Sequence, residues 1–198
     1  AMFLHGDSTD TGTRRWRRRK GKRNPPVLPA IEQPHSPLTE NFRFLRSRIL
    51  FNQQFQDSSV LLVTSSVPRE GKSTIAANLA IVLAQVGKRV LLVDADMRRP
   101  AVHALLGAHK EPGLSDYLRG EAELESLVQP VEVENLDVLS CGSEVESPAE
   151  IIAAHQRRCR ELANLSDRYD YVLVDTPPLV LSDPVLLAGA LEGLVLLV

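Results

Sequence analysis

The chain has 198 residues, 43% hydrophobic and 24% charged. That composition suits one globular domain with a full core and excludes a fibrous or wholly disordered chain. No apolar run approaches the roughly 18 residues of a membrane span, and residues 2–4 are too short for a signal-peptide core. Cys141 and Cys159, the only cysteines, lack metal-ligand spacing and read as two reduced cytosolic thiols.

The net charge of −2 hides an asymmetry. Residues 14–23 hold eight of the 23 basic residues, and residues 1–23 contain only Asp7 and Asp10 as acids. The remainder sets 15 basic residues against 23 acidic ones. Residues 1–36 are polar, basic and proline-bearing (Pro25, Pro26, Pro29, Pro34), and read as a disordered arm ahead of a folded body at 37–198. The basic block can meet an anionic membrane surface, serve as a solvated linker, or bind nucleic acid. The acidic body offers no second basic surface, which argues against nucleic acid.

Ser36-Pro37 opens a helix running to about Asn52, with Pro37 suited to the first turn. Phe42, Leu45 and Ile49 share one face and can pack on a core. Phe44 and Phe51 project from another side, beside a charged stripe of Glu40, Arg43 and Arg46. That second face either meets a partner or covers a neighbouring loop of the same chain.

The body then alternates strand and helix. An apolar strand at 60–63 leads into Thr-Ser-Ser-Val-Pro-Arg-Glu-Gly-Lys-Ser-Thr (64–74), and a helix runs over 72–86. A buried strand, a tight loop ending Gly-Lys-Ser and a helix start make a phosphate cradle. Lys72 supplies a charge for the β- and γ-phosphates, and the Ser73 hydroxyl can hold Mg2+. Ser66 replaces the first glycine of the usual spacing. A second strand, 89–93, ends in Asp94-Ala95-Asp96-Met97-Arg98-Arg99-Pro100, followed by short helices at 100–106, 113–119 and 122–128. A strand at 136–139 and a helix at 148–165, capped by Ser147, come next. The strand at 171–174 ends in Asp175-Thr176-Pro177-Pro178, with a helix at 184–190 after it. A last strand begins at 194 and runs off the chain, which is expected of a fragment lacking its carboxyl-terminal part. The fold class is α/β: a P-loop NTPase with a mostly parallel sheet, helices on both faces and a truncated carboxyl-terminal end.

In such a sheet, ligands bind outside the carboxyl ends of the strands. Asp94, Asp96 and Asp175 therefore converge on one phosphate site, and Mg2+ is the expected cation among them. Taken singly, each could instead be an ordinary strand-end aspartate capping a turn.

From Ser36 to Val198 the chain resembles the bacterial tyrosine kinases (BY-kinases) of capsule and exopolysaccharide assembly. Their phosphate loop T-S-x-x-P-G-E-G-K-S-T, second motif V-D-x-D-x-R-x-P and third motif D-T-P-P stand here in order. The stretches Gly113-Leu114-Ser115-Asp116-Tyr117-Leu118 and Gly142 with Ser147-Pro148-Ala149-Glu150 agree as well. Residues 40–46 are similar to the family's E-x-x-R-x-x-R element, linked to ring-shaped oligomers.

The resemblance implies an ATP- and Mg2+-dependent protein tyrosine autokinase. Ser66, Pro68, Arg69, Glu70, Gly71, Lys72, Ser73 and Thr74 would hold the nucleotide, and Ser73, Asp96 and Asp175 the metal. Lys72, Asp94 and Asp96 would carry catalysis, with Asp94 as base for the tyrosine hydroxyl. It implies self-association through Glu40, Arg43 and Arg46, a membrane-spanning activator, separate or fused, and protein tyrosine substrates. The expected location is cytoplasmic, at the inner face of the plasma membrane.

There are departures. Arg69 stands where the family has Gly, a strained choice if the position needs positive φ. The family's carboxyl-terminal tyrosine cluster is absent, since only Tyr117, Tyr169 and Tyr171 exist, and the last two read as structural. Two rivals remain: a non-catalytic nucleotide-binding regulator of polysaccharide export, and a partition-type switch ATPase. Against the second, Val67 stands where those proteins carry a signature lysine.

Overall fold

The structure, a computed structural model, describes residues 28–51, 59–191 and 194–198. The basic segment 14–23 and the end of the first long helix at Asn52 lie outside the described residues.

Six strands form one sheet: β1 (Val60–Thr64), β2 (Val90–Asp94), β3 (Val128–Pro130), β4 (Leu136–Leu139), β5 (Tyr171–Asp175) and β6 (Leu194–Leu197). Their order is β3-β4-β2-β5-β1-β6. All neighbours run parallel except β3 and β4. The continuous Val/Leu runs suit strands covered on both faces, and alternate residues divide between two cores. Leu61, Val63, Val90, Leu92 and Leu173 face one core, and Val60, Leu62, Leu91, Val93, Val172 and Val174 the other.

The first core is roofed by α1 (Pro29–Glu32), α2 (Pro37–Phe51) and α3 (Lys72–Ala84). The expected boundary at residue 36 is corrected, because the folded body begins earlier. Leu28, Pro29 and Ala30 are buried, and Thr39 Oγ1 reaches the carbonyls of Pro29 at 2.9 Å and Gln33 at 2.8 Å. The prolines that suggest an arm here include one at the start of a helical turn, where no N–H is needed. Ser36 Oγ accepts the Thr39 N–H at 3.2 Å and so caps α2.

The second core lies under α5 (Leu114–Arg119), α6 (Leu124–Leu127), α7 (Pro148–Ala154), α8 (Gln156–Glu161) and α9 (Asp183–Leu191), while α4 (Val102–Leu106) follows β2. The helix expected over 148–165 is broken. His155, at φ −117° and ψ 37°, separates α7 from α8, and a 3-10 turn continues over Leu162–Asp167. Ser147 makes no side-chain cap. The helix expected over 122–128 shortens to α6, and Val128 passes directly into β3. Pro130 has no N–H to give a ladder, so it suits this edge strand.

The two glycine-bearing stretches meet at the end of β4. Leu114 and Ser115 donate backbone N–H groups to Ser140 and Cys141 at 2.8 Å. The approach is so close that a Cβ on Gly113 would lie 2.2 Å from the Ser140 carbonyl oxygen.

Candidate functional site

The register places Asp94 opposite Asp175, and Asp175 opposite Val63. The carboxyl ends of β1, β2 and β5 are therefore level. They are also tied together: Thr176 N–H donates to Val63 O at 3.0 Å, Thr64 Oγ1 to Pro177 O at 2.9 Å, and Ala95 N–H to Asp175 O at 2.8 Å. The phosphate loop rises from β1 into α3. Gly71, at φ +90°, makes the left-handed turn that starts this 13-residue helix. Glu70 Oε2 accepts the Val67 N–H at 2.9 Å and braces the loop from outside.

A cavity of about 350 Å³ opens here, lined by Pro68, Arg69, Gly71, Lys72, Ser73, Thr74 and Asp96, with Arg99, Ala101 and Pro178 completing it. Ser66 and Glu70 are exposed outside this lining, so six of the eight expected nucleotide-loop residues line the cavity. Arg99, Ala101 and Pro178 escape a sequence reading as contact residues, although each belongs to a quoted motif or directly adjoins one. A roomier cleft of about 550 Å³ is lined by Tyr117, Arg157, Arg158 and Glu161 among others. Four of its lining residues bond one another: Tyr117 OH donates to Glu161 at 2.7 Å, Arg157 Nε to Glu161 at 3.2 Å and Arg158 to the Tyr117 carbonyl at 3.0 Å.

The three aspartates take different roles. Lys72 Nζ lies 2.6 Å from Asp96 Oδ2 and 3.5 Å from Ser73 Oγ, so the lysine and the second aspartate neutralise each other. Asp94 is fully buried. Its Oδ2 accepts the N–H groups of Ala101 and Val102 at 3.0 Å, and its Oδ1 that of Asp96 at 3.2 Å. It thus caps α4 and shapes the turn bearing Asp96. Burial pushes its carboxyl up to about 6, against the opposing N–H bonds.

Asp175 is buried too, yet neither carboxylate oxygen has a partner at hydrogen-bond geometry, although the Ser73 hydroxyl stands near enough to favour its charged form. Burial pushes it up to about 8; the Lys72 ammonium and the Ser73 hydroxyl oppose this, while Asp94 and Asp96 add to it. Buried polar atoms are nearly always satisfied, so an orphaned carboxylate beside a phosphate loop marks a place for a cation. Among the described residues no group of three or more His, Cys, Asp or Glu forms a metal-binding cluster. The expected trio around one ion gives way to a narrower donor set, in which Asp94 belongs to its turn. This set fits Mg2+, which favours one or two carboxylates with water and phosphate oxygens over an all-protein cage.

Arg98, in the same turn, grips Asp183 at the start of α9 through Nε at 2.9 Å and Nη2 at 3.2 Å. The paired geometry locks the aspartate turn to α9. Only the pattern V-D-x-D-x-R-x-P signals it in the sequence.

On α2, Phe42 and Ile49 are buried, while Phe44 is 67% and Phe51 84% exposed, so neither covers a described loop of this chain. Glu40 and Arg43 form an exposed ion pair. Arg46 departs from that stripe: its Nη1 donates to Val82 O on α3 at 3.1 Å. All three tyrosines are buried, and Tyr169 OH donates to Asp137 at 2.7 Å. Among the described residues no helix is long and apolar enough to cross a membrane.

The AAA domain family matches residues 69–189. The tyrosine-protein kinase YwqD of Bacillus subtilis (strain 168) is 38% identical over 184 residues, spanning 92% of this chain and 77% of that protein. The tyrosine-protein kinase wzc of Salmonella typhimurium is 37% identical over 171 residues, which cover 86% of this chain but only 24% of the longer protein. The kinase domain of Escherichia coli tyrosine kinase ETK superposes with a TM-score of 0.80 at 33% identity, over 92% of this chain and 72% of that one. The chain belongs to the bacterial tyrosine-protein kinase (BY-kinase) family, and its fold is that of a P-loop nucleotide-binding domain.

Proposed function

We propose that the chain binds Mg·ATP and transfers the γ-phosphoryl group to a protein tyrosine. It would do so as a cytoplasmic domain at the inner face of the plasma membrane, in control of capsular or exopolysaccharide polymerisation and export. The observation that carries the reading is Asp175, a buried carboxylate left unpartnered beside the phosphate loop. The N–H groups opening α3 face the phosphates. Lys72 exchanges Asp96 for the β- and γ-phosphates, which frees Asp96 for metal. Ser73, Asp96 and Asp175 would hold Mg2+, which supplies charge neutralisation on the phosphates.

Asp94 takes the tyrosine hydroxyl proton as the new O–P bond forms and the bond from the γ-phosphorus to the bridging oxygen breaks. A carboxyl pushed up to about 6 is ionised at neutral pH yet more basic than an ordinary aspartate. The buried Tyr117, Tyr169 and Tyr171 are poor acceptors, so the substrate tyrosine belongs to another segment, another copy or another protein. Glu40, Arg43 and Phe44 offer a face for a ring-forming second copy, while Arg46 secures α2 from within. Replacing Glu40 and Arg43 by Ala is expected to shift the mass measured by light scattering toward monomer. A membrane-spanning activator, fused or separate, and contact of residues 14–23 with anionic lipid complete the scheme.

One observation favours a second reading. Asp94 already accepts three N–H groups, as a purely structural residue would in a non-catalytic ATP-binding regulator. The full-length protein with its activator, given labelled ATP and probed for phosphotyrosine, decides between them. Lys72→Met is expected to weaken Mg·ATP binding about 100-fold by calorimetric titration, the scale of a lost charge-assisted phosphate contact. Asp94→Asn should abolish phosphotyrosine while weakening Mg·ATP binding much less. Its melting curve is needed alongside, because the new NH2 must oppose a backbone donor. Wild type that binds ATP but never labels tyrosine would favour the regulator, and free phosphate without phosphotyrosine a switch ATPase.

A further inference from the structure

The helix that begins with Lys72 carries a fully buried amide one turn beyond Thr74, at Asn78. Its neighbours are apolar: Ala76, Ala77, Leu79, Ala80 and Ile81 are all buried. A polar side chain in such a place costs stability unless its donor and acceptor are both used. Both are used here. Asn78 Oδ1 accepts the Ala30 N–H at 3.0 Å, and Asn78 Nδ2 donates to the Thr74 carbonyl at 2.8 Å.

A second amide completes the grip. Gln85, two turns further along, donates to the Ala30 carbonyl at 3.2 Å. One residue of α1 therefore has both backbone groups held by side chains of the phosphate-loop helix. With only four residues, α1 has little stability of its own and is held in place by this grip together with Thr39, which bonds the Pro29 and Gln33 carbonyls. Thr74 in turn lines the cavity at the mouth of α3. A continuous chain of bonds thus runs from the Ala30 N–H through Asn78 to the residue that closes the Gly-Lys-Ser-Thr loop.

We infer that Asn78 is a positioning residue for the nucleotide, coupling the docking of α1 to the setting of Thr74 in the phosphate cradle. The inference rests on the phosphate-loop reading above. Coupling between two places is reciprocal: nucleotide that favours the set position of Thr74 must also favour docked α1.

The test uses the whole chain, Mg·ADP, calorimetric titration and amide hydrogen exchange. In wild type, saturating Mg·ADP is expected to slow exchange in residues 28–33. Asn78→Ala should raise the Mg·ADP Kd about fivefold or more, at the low end of measured couplings, and remove that slowing. Gln85→Ala lies about 16 Å along the helix from Thr74, so it cannot touch nucleotide, yet it should raise Kd about threefold by loosening α1. Asn78→Asp keeps an acceptor for Ala30 but sets a carboxylate against the Thr74 carbonyl. It should leave exchange of 28–33 unchanged without nucleotide and still raise Kd. A lowered melting temperature with unchanged Kd in both Asn78→Ala and Gln85→Ala would reduce Asn78 to a packing role and overturn the inference. So would wild-type exchange in 28–33 that ignores Mg·ADP. If Asn78→Ala fails to fold, Gln85→Ala and the wild-type exchange still decide. A wild type that does not bind Mg·ADP overturns the phosphate-loop reading as well, whereas binding that is lost in Lys72→Met but kept in the Asn78 and Gln85 variants overturns this inference alone.

Discussion

Asp116 and Asp175 are both buried carboxylates, and their surroundings are opposite. Asp116 Oδ2 accepts the N–H groups of Gly113 at 2.7 Å and Ser143 at 3.2 Å, while Oδ1 meets Arg119 Nη2 at 2.7 Å. Burial alone would raise its pKa, but these donors, from Ser143, Gly113 and Arg119, hold it below the ordinary value. Asp175 has no such donors, and burial carries it up to about 8. Both carboxylate oxygens of Asp116 answer to the fold. In the second, the fold leaves an acceptor free, at a cost to the ligand-free protein, as binding sites commonly do. The comparison predicts that changes near Asp116 act on stability, and changes near Asp175 act on ligand.

The largest effect belongs to the region around Asp116. In Gly113→Ala the new Cβ would lie 2.2 Å from the Ser140 oxygen and 2.5 Å from the Gly142 nitrogen, both backbone atoms. Backbone cannot swing aside as a side-chain tip can, so the loops must part and Asp116 loses donors. A loss of about 4 kcal/mol is expected, at the upper end for single substitutions, read from the denaturant midpoint. A loss under about 1 kcal/mol would show that the region yields, and the contrast with Asp175 would weaken.

Next comes Asp175→Asn, where the sign reverses. An amide in place of the buried carboxyl should stabilise the ligand-free protein by about 2 kcal/mol at pH 8 while abolishing the gain from Mg·ADP. The pH dependence sharpens this. A carboxyl whose folded pKa is raised contributes stability that is complete below its unfolded value and lost as pH rises toward the folded one. For Asp175 that window runs from about 4 up to about 8. Ligand-free wild type should lose stability across it, and Asp175→Asn should lose less, with Asp94 keeping the part up to about 6. Asp116 works the other way: its contribution is present above the ordinary carboxylate range and lost as pH falls through its depressed value. Thermal melts from pH 4 to 9 on both proteins check this, and parallel slopes would contradict it.

How much of this was legible in the sequence depended on the range of the interactions involved. β1, β2 and β5 could be read within a residue at each end, because an unbroken Val/Leu run followed by Asp suits a strand buried on both faces. The loop at 64–74 could be read because its chemistry is local. α1 was hidden because Pro29–Glu32 is held by Asn78 and Gln85, about 50 residues away. The break at His155 was hidden because 148–165 keeps helical periodicity, whereas the backbone leaves helical geometry at that one residue. Arg46 looked like a surface charge, since spacing alone cannot show that its tip turns back to Val82. The unequal fates of Asp94, Asp96 and Asp175 were equally hidden, because each stands at a strand end and the distinction lies in which N–H groups the following turn presents.

The smallest expected effect tests whether the ligand-ready region also carries backbone strain. Arg69 sits in the phosphate loop at φ +73°, where its family has Gly. Left-handed backbone costs a residue with a Cβ about 1–2 kcal/mol, and Gly gives back roughly 0.5–1 kcal/mol of that through its freer unfolded state. Arg69 is exposed, so little packing is lost with it. Arg69→Gly should therefore stabilise the ligand-free protein by about 0.5–1 kcal/mol, visible as a higher urea midpoint. Arg69→Ala keeps the Cβ and should stay within about 0.5 kcal/mol of wild type. The two variants also separate strain from charge at the cavity that Arg69 lines. If the guanidinium helps to hold phosphate, both should bind Mg·ADP more weakly, by a similar factor. If strain is what matters, only Arg69→Gly should change, and it should bind more tightly because the loop no longer resists its own turn. A Gly variant less stable than wild type would show that the Arg69 side chain makes a contact worth more than the strain, and the phosphate loop would then resemble the donor-held carboxylate of Asp116.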